Sequence, residues 1–150
     1  MPADDDIAIP ALLRAARGAY GNAIRSRLAA ADFDDLPRNA AFILGGMGSH
    51  GISAGDLVGQ LGVSKQAAGQ LIDALVVRGY LERQTNPDDR RRMTLELTPR
   101  GKAAALEVRA GVQEVDTELA TQLTSAQLGG LRAGLIALTT IREAQEEAAR

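Results

Sequence analysis

The chain has 150 residues, of which 45% are hydrophobic, a length that suits one domain with a single core. It has no Cys and one His, so disulfide frameworks, zinc fingers and thiol redox sensors are excluded, and we expect neither a metal nor another cofactor. Because the apolar runs are short and the start, MPADDD, is acidic where a signal peptide is basic, we expect a cytoplasmic protein with no membrane partner.

The formal net charge of −2 hides an uneven distribution. Residues 64–102 contain eight basic and five acidic side chains, a local charge of +3, which leaves −5 for the rest of the chain. A basic segment between acidic ends is typical of a protein that docks locally on a polyanion such as DNA.

Two helices are predicted in the first third of the chain. The first runs from Ile7 to about Ala30, on the spacing of its apolar residues. The second is predicted to start after Asp35, with Pro37 in its first turn, and to end in the glycine-rich GGMGSHG. That loop lacks the Lys-Ser/Thr of a phosphate-binding loop, and its His50 has no partner ligands, so we interpret the loop as a linker.

The next segment predicts a helix-turn-helix. Ser53 precedes a short helix, the turn Gly62-Val63-Ser64 follows, and a second helix ends at Gly79. Two short helices joined by a three-residue turn that contains Gly define this motif. One face of the second helix is apolar and is expected in the core, whereas the other is short and polar, as entry into a DNA major groove requires. The polar face carries Lys65, Gln66, Gly69, Gln70 and Asp73.

Beyond this helix the periodicity changes from helical to alternating. Residues 80–83 and 92–97 are predicted to form a β-hairpin with a long polar tip. Thr98 followed by Pro99 favours the start of a long helix, and a last helix is predicted to begin near Thr124. This last helix carries an apolar stripe that needs a partner, formed by Leu128, Leu131, Leu135, Leu138 and Ile141.

Residues 56–102 resemble the DNA-binding lobe of the MarR family of transcription regulators. The resemblance is carried by the helix-turn-helix and by three motifs that follow it in order and spacing. These motifs are Gly79-Tyr80-Leu81-Glu82-Arg83, Asp89-Arg90-Arg91 and Leu97-Thr98-Pro99-Arg100-Gly101.

The resemblance implies a mainly α fold with a small β-hairpin wing. Residues 36–102 would form a winged helix-turn-helix lobe, and residues of about 1–35 and 103–150 would form dimerisation helices. The dimer interface would contain Leu12 and the apolar stripe of the last helix. A two-fold homodimer presents its recognition helices to half-sites roughly 34 to 36 Å apart, so we expect double-stranded DNA with a pseudo-palindromic site as the partner.

Ten residues are expected to serve this DNA contact. Gln can pair with adenine through two hydrogen bonds, and consecutive Arg residues on a hairpin tip suit a minor groove and its phosphates. By resemblance, Arg91 is the residue that enters the groove, Asp89 orients the wing by pairing with an Arg, and Asp73 reaches the wing from the recognition helix. The predicted DNA-contacting residues are Ser64, Lys65, Gln66, Gly69, Gln70, Arg90, Arg91 and Arg92, and the predicted wing-orienting residues are Asp73 and Asp89.

Each of these residues also has a plainer interpretation. Ser64 caps its helix whether or not it touches DNA, the polar helix face can be merely solvated, and the Arg-rich tip can be a charged loop. Gly69 costs about 1 kcal/mol relative to Ala inside a helix, which indicates either close approach to DNA or simple tolerance.

The predicted function is a repressor whose DNA binding is relieved by a small aromatic or amphipathic effector, and the effector is implied by the family alone. Phe33, Phe42 and Tyr20 could line its pocket, although isolated aromatic residues more often belong to the core. The first alternative is a winged-helix protein-interaction module that does not bind DNA. An enzyme is disfavoured, because the sequence contains no recognisable catalytic constellation.

Overall fold

The computed structural model describes residues 7–37, 39–47 and 51–150, and these residues fall into two compact units that divide after Gln113. Their architecture confirms the predicted fold class, mainly α with a small β wing. The helices are α1 (Ile9–Ala30), α2 (Ala41–Gly46), α3 (Ala54–Leu61), α4 (Lys65–Val77), α5 (Pro99–Gln122) and α6 (Ser125–Ala148). The strands are β1 (Ile52–Ser53), β2 (Leu81–Thr85) and β3 (Met93–Leu97).

The second helix begins later than the sequence predicts. We expected it to start after Asp35, but residues 34–36 form a turn and a bend, and α2 starts at Ala41. The reason is that the Asp35 carboxylate, which would have capped the helix, accepts hydrogen bonds from Tyr80 and Arg100 instead. His50, interpreted above as part of a linker, lies outside the described residues.

The helix-turn-helix forms as predicted, and local hydrogen bonds set its boundaries. The hydroxyl oxygens of Ser53 and Ser64 accept from the backbone N–H of Asp56 and of Ala67, each at 3.1 Å, which satisfies helix amides that would otherwise be unpaired. α3 ends at Leu61, and the next residue, Gly62, has a φ of +62°, a left-handed conformation that Gly adopts without strain. The inward face of α4 is buried, as expected, through Ala68, Ile72 and Leu75.

The three strands form one antiparallel sheet in the order β1-β3-β2. β2 and β3 make the predicted hairpin, with Leu81 opposite Leu97 at its base and Thr85 opposite Met93 toward its tip. β1 was not predicted, because two residues are too few to show the alternation that marks a strand. It pairs with β3 where Ile52 lies opposite the fully buried Leu95.

The core of the first unit depends on glycines where α5 approaches α1 and α2. A Cβ atom added to Gly111 would lie 2.9 Å from the Cα atom of Ile24 on α1, and one added to Gly45 on α2 would lie 2.7 Å from a methyl group of Val108. The helices therefore pack closely around one core. Its largest fully buried side chains are Tyr80, Ile24, Leu44, Leu57, Leu75, Leu81, Leu95 and Val108.

Candidate nucleic-acid interface

The recognition helix α4 presents its polar face to solvent. Lys65, Gln66 and Gln70 are exposed and Gly69 is half-buried, so the side chains predicted to read DNA are accessible. Ser64 is an exposed cap at the start of this helix, where the positive end of the helix dipole favours an anion such as phosphate.

The wing tip is ordered by its own short polar side chains. The side-chain oxygen of Asn86 accepts from the backbone N–H of Asp88 at 2.9 Å, and that of Asp89 accepts from the backbone N–H of Arg91 at 3.0 Å. These local bonds fix the backbone between the strands, because Asn and Asp side chains readily bond an amide two residues on. The side chains of Arg90, Arg91 and Arg92 are exposed on this tip.

Asp89 therefore shapes the tip through a backbone amide. The resemblance implies that Asp89 pairs with an Arg side chain, whereas the bond found among the described residues runs from the backbone amide of Arg91 to the carboxylate of Asp89. An amide contact orients the loop by setting the backbone, and it leaves the guanidinium groups of the tip available for another anion.

Asp73 links the recognition helix to the wing. Its carboxylate, on α4, pairs with the guanidinium of Arg83, on β2. The two side chains are 66% and 39% exposed, so solvent screening limits the contribution of the pair to stability to about 1 kcal/mol or less. The pair instead restricts the position of the wing relative to α4. Arg83 was not predicted as a site residue, although its outward position on the alternating strand could have indicated it.

A groove of about 460 Å³ lies between the recognition helix and the wing. Lys65 and Arg83 bring positive charge to its rim, and the half-exposed Met93 brings apolar surface to its wall. The groove is thus continuous with the two elements predicted to contact DNA.

A cluster of four side chains lies where α4, the hairpin and α5 meet. We call Asp35, Arg78, Tyr80 and Arg100 the junction cluster. Arg100 donates to the Asp35 carboxylate at 2.9 Å, and the hydroxyl of Tyr80 donates to the same oxygen. Arg78 donates to the backbone carbonyl of Asp35. The sequence did not indicate this cluster.

The junction cluster perturbs two acid groups. The hydrogen bond from Tyr80 holds the pKa of Asp35 below its ordinary value of 3.8, and the charge of Arg100 acts in the same direction against the opposing effect of desolvation. Burial raises the pKa of Tyr80 to about 12, and the hydrogen bond to Asp35 adds to this shift. Both shifts favour an ionised Asp35 beside a neutral Tyr80.

A second cavity, of about 280 Å³, lies between α1 and α2. Arg14, Arg17 and Arg25 line it together with Phe42, and the guanidinium of Arg17 lies 5.7 Å from the centre of the Phe42 ring. Phe33, by contrast, lies against Tyr80 with ring centres 6.2 Å apart. Of the three aromatic residues suggested for an effector pocket, Tyr20 is half-buried on α1, and Phe42 is the one that lines this cavity.

The residues predicted to form a dimer interface lie on open surface. Leu12 on α1 is 46% exposed, and none of the described residues of α6 is buried. The apolar stripe of α6 is solvent-accessible along its length, with Leu128 half-buried and Leu131, Leu135, Leu138 and Ile141 exposed.

The described part of the chain contains no group of three His, Asp or Glu side chains placed to hold a metal ion. No helix in this part of the chain is both long enough and apolar enough to cross a bilayer.

Sequence comparison matches residues 34–92 to a model of the MarR family. A protein of Thauera aromatica, described as a candidate transcriptional regulatory protein for the hcr operon, is 30% identical over 81 residues. That match covers 54% of this chain and 49% of the Thauera protein, so the chain spans about half the length of this relative.

Solved structures of the MarR family share the fold at low identity. FabT of Streptococcus pneumoniae in complex with DNA has a TM-score of 0.76 at 18% identity, covering 90% of this chain and 95% of that one. The MepR–DNA complex of S. aureus has a TM-score of 0.71 at 17% identity, with 90% and 98% covered. Wild-type MarR of E. coli without ligand has a TM-score of 0.62 at 24% identity, with 88% and 96% covered.

Proposed function

We propose that this chain is a homodimeric transcription regulator of the MarR family that binds a specific double-stranded DNA site and is not an enzyme. The observation that carries the proposal is the joint presentation of two exposed elements, the polar face of α4 and the Arg-rich tip of the wing. The ion pair between Asp73 and Arg83 ties the recognition helix to the wing, so that both can meet one DNA surface together.

The recognition helix is proposed to enter the major groove. Gln66 and Gln70 are one helical turn apart on its exposed face, where each could pair with an adenine edge through two hydrogen bonds. Ser64 and Lys65 stand at the start of the helix, where a phosphate would meet a cation and the positive end of the helix dipole. Gly69, which lies between Gln66 and Gln70, has no side chain and would allow the helix backbone to approach the DNA closely.

The wing is proposed to contact the adjacent minor groove. Its backbone is fixed by the bonds of Asn86 and Asp89, so Arg90, Arg91 and Arg92 would lose little backbone entropy on binding. Their positive charge attracts phosphates and a narrow minor groove. The chain outside residues 64–102 carries a charge of −5, which favours docking through this lobe alone.

A second copy of the chain is proposed to cover the exposed apolar surfaces of α1 and α6. Large contiguous apolar patches are rare on monomeric proteins, and the α6 stripe alone exposes Leu131, Leu135, Leu138 and Ile141. A two-fold dimer would place two recognition helices against two half-sites, so the DNA site should be pseudo-palindromic.

Selection of bound duplexes from a random DNA pool tests this function, and we expect a pseudo-palindromic site. On that site, Arg91→Ala should flatten the dependence of log affinity on log salt by about one unit per wing contact. Gln66→Ala and Gln70→Ala should weaken binding to the selected site by about 1 to 3 kcal/mol each, and binding to random DNA less.

Arg150→Ala removes the same charge from an exposed position at the end of the chain and should leave the salt slope unchanged. Failure of the unaltered protein to select any DNA would contradict the proposal and favour the protein-interaction module.

We further propose that the regulator is a repressor relieved by a small anionic aromatic molecule bound between α1 and α2. Arg14, Arg17 and Arg25 supply charge for a carboxylate, and Phe42 supplies a ring face. Benzoate is the simplest such probe. It should release the selected DNA from the unaltered protein and act less well on Arg17→Gln, whereas equal release from both would contradict this site.

A further inference from the structure

The junction cluster joins three segments that are distant in the sequence. Asp35 lies between α1 and α2, Arg78 and Tyr80 lie between the recognition helix and β2, and Arg100 lies in the first turn of α5. The side chains of Asp35, Tyr80 and Arg100 bond one another, and that of Arg78 bonds the backbone of Asp35, through hydrogen bonds that span 20 to 65 residues of chain. The cluster therefore connects, through hydrogen bonds, segments that could otherwise move separately.

The carboxyl end of the recognition helix is bonded directly to the junction cluster. The backbone carbonyl of Arg78, the residue that caps α4, accepts from Arg100 at 2.9 Å. A cation at the carboxyl end of a helix is favoured by the helix dipole. The guanidinium of Arg78 in turn donates to the backbone carbonyl of Asp35. Both sides of this helix end are thus bound to other elements.

Tyr80 makes the junction rigid as well as connected. Its ring is fully buried, and the guanidinium of Arg100 lies 4.5 Å from the ring centre. The backbone of Tyr80 accepts from the amide of Thr98 at 3.1 Å, and the hydroxyl of Thr98 donates to the carbonyl of Gly79. Movement of α5 relative to the end of α4 would therefore break several contacts at once.

We infer that Asp35, Tyr80 and Arg100 are positioning residues that set the angle between the recognition helix and α5, an inference that rests on the proposed DNA-binding function. A small rotation of α4 at this junction would displace its far end by a distance that matters for DNA binding. α4 has 13 residues and a length of about 20 Å, so a rotation of roughly 10° at its junction moves its far end by about 3 Å. That displacement is close to one base-pair step, which is about 3.4 Å.

In a two-fold dimer, such a rotation would change the spacing between the two recognition helices. Loosening the junction cluster should therefore weaken binding to a complete site while leaving the contact of one lobe with one half-site nearly intact. A substitution that merely damaged the DNA-reading face would weaken both contacts alike, so the two kinds of effect can be separated.

The test compares Asp35→Asn and Tyr80→Phe in the full chain, with Asp34→Asn as the matched control. Asp34 is the exposed neighbour of Asp35, and its substitution removes the same charge. Dissociation constants are measured on the selected site, on one half-site, and on sites with the spacer lengthened or shortened by one base pair. Thermal unfolding identifies variants that remain folded, and Tyr80→Phe keeps the buried ring in case Asp35→Asn does not fold.

We expect the folded variants to lose roughly tenfold in affinity for the selected site, a usual size for coupling between distant parts of a protein. Their affinity for the half-site should stay within about twofold of the unaltered protein, as for independent sites. They should also discriminate less between the three spacers. Unchanged spacer discrimination, or equal losses on half-site and complete site, would overturn the inference. No DNA binding by the unaltered protein would instead overturn the proposed function, and this inference with it.

Discussion

The recognition helix α4 and the last helix α6 begin with similar caps but differ in the burial of their apolar faces. Both begin after a hydroxyl side chain that caps the first turn, Ser64 in α4 and Thr124 in α6. Both carry apolar residues at spacings of three and four. In α4 that face is buried, with Ala68 fully inaccessible, whereas no described residue of α6 is buried and Leu131 remains 43% exposed.

The difference shows that an apolar period predicts a face to be covered and does not identify what covers it. For α4 the cover comes from the same chain, because the sheet and the neighbouring helices close over it. For α6 the described part of the chain supplies no comparable cover. Burial of a helix face is what stabilises most helices in proteins, so α6 is expected to depend on a second copy far more than α4 does.

Charged residues on the apolar stripe of α6 should have a greater effect than any other substitution considered below. Leu131→Glu combined with Leu135→Glu should abolish the dimer, because each buried Leu contributes about 1.5 to 3 kcal/mol and a buried carboxylate costs more. Because each of the two copies carries both substitutions, the loss of at least about 6 kcal/mol would weaken association by roughly four orders of magnitude. Light scattering and sedimentation equilibrium at micromolar concentration should show monomers.

Ala133→Glu combined with Ala137→Glu adds the same charges to the opposite face of α6 and should leave the dimer intact. Dissociation by both double variants, or a monodisperse unaltered monomer, would refute a dimer built on the α6 stripe.

The close packing of α5 against the backbone of Tyr80 leaves no space for an added methyl group. A methyl group at Gly101, on the buried face of α5, would overlap the backbone carbonyl oxygen of Tyr80. Gly101→Ala should therefore lower the free energy of unfolding by about 3 kcal/mol, the upper part of the usual range for overpacking. Urea unfolding followed by circular dichroism measures this. Gly59→Ala in α3 adds a methyl group in open space and should raise stability by up to about 1 kcal/mol. Similar values for both would show that the α5 contact is not as tight as described.

Gly69 lies on the polar face of α4, and its replacement tests why Gly occurs there. An added Cβ at Gly69 meets no protein atom within 4 Å, so nothing within the described chain requires Gly there. Gly69→Ala should raise stability by up to about 1 kcal/mol through helix propensity and weaken binding to the selected DNA through its added bulk. Paired unfolding and DNA titrations separate the two effects. Unchanged DNA affinity would mean that Gly69 is merely tolerated.

The smallest effect is the pH dependence of the junction cluster. The pKa of Asp35 is lowered in the folded protein, so its stabilising contribution is complete above the ordinary value of 3.8 and is lost as the pH falls through the lower folded value. Because this side chain is 42% exposed, screening should keep the contribution within about 1 kcal/mol.

The free energy of unfolding should therefore fall more steeply for the unaltered protein than for Asp35→Asn between about pH 5 and pH 2. Asp34→Asn should follow the unaltered protein. Identical slopes for the unaltered protein and Asp35→Asn would remove Asp35 from the acid response.

Features whose hydrogen-bonding partners lie nearby in the chain were predictable from the sequence. Ser53, Ser64 and Thr98 cap helices as predicted, and Thr124 caps the helix predicted to begin near it, because each hydroxyl bonds a backbone amide three residues on. The hairpin was predictable for the same reason, since its two strands are adjacent and alternate. The turn of the helix-turn-helix was fixed by Gly62, whose left-handed conformation is a property of a single residue.

Contacts between side chains that are distant in the chain became known only from the folded structure. Asp35 has the sequence context of a helix cap, yet its carboxylate bonds Tyr80 and Arg100, 45 and 65 residues away. The pairing of Asp73 with Arg83 and the addition of β1 to the sheet were equally hidden. Local sequence fixes backbone preference and hydrogen-bond supply, but the choice among several available donors depends on how the core brings the elements together.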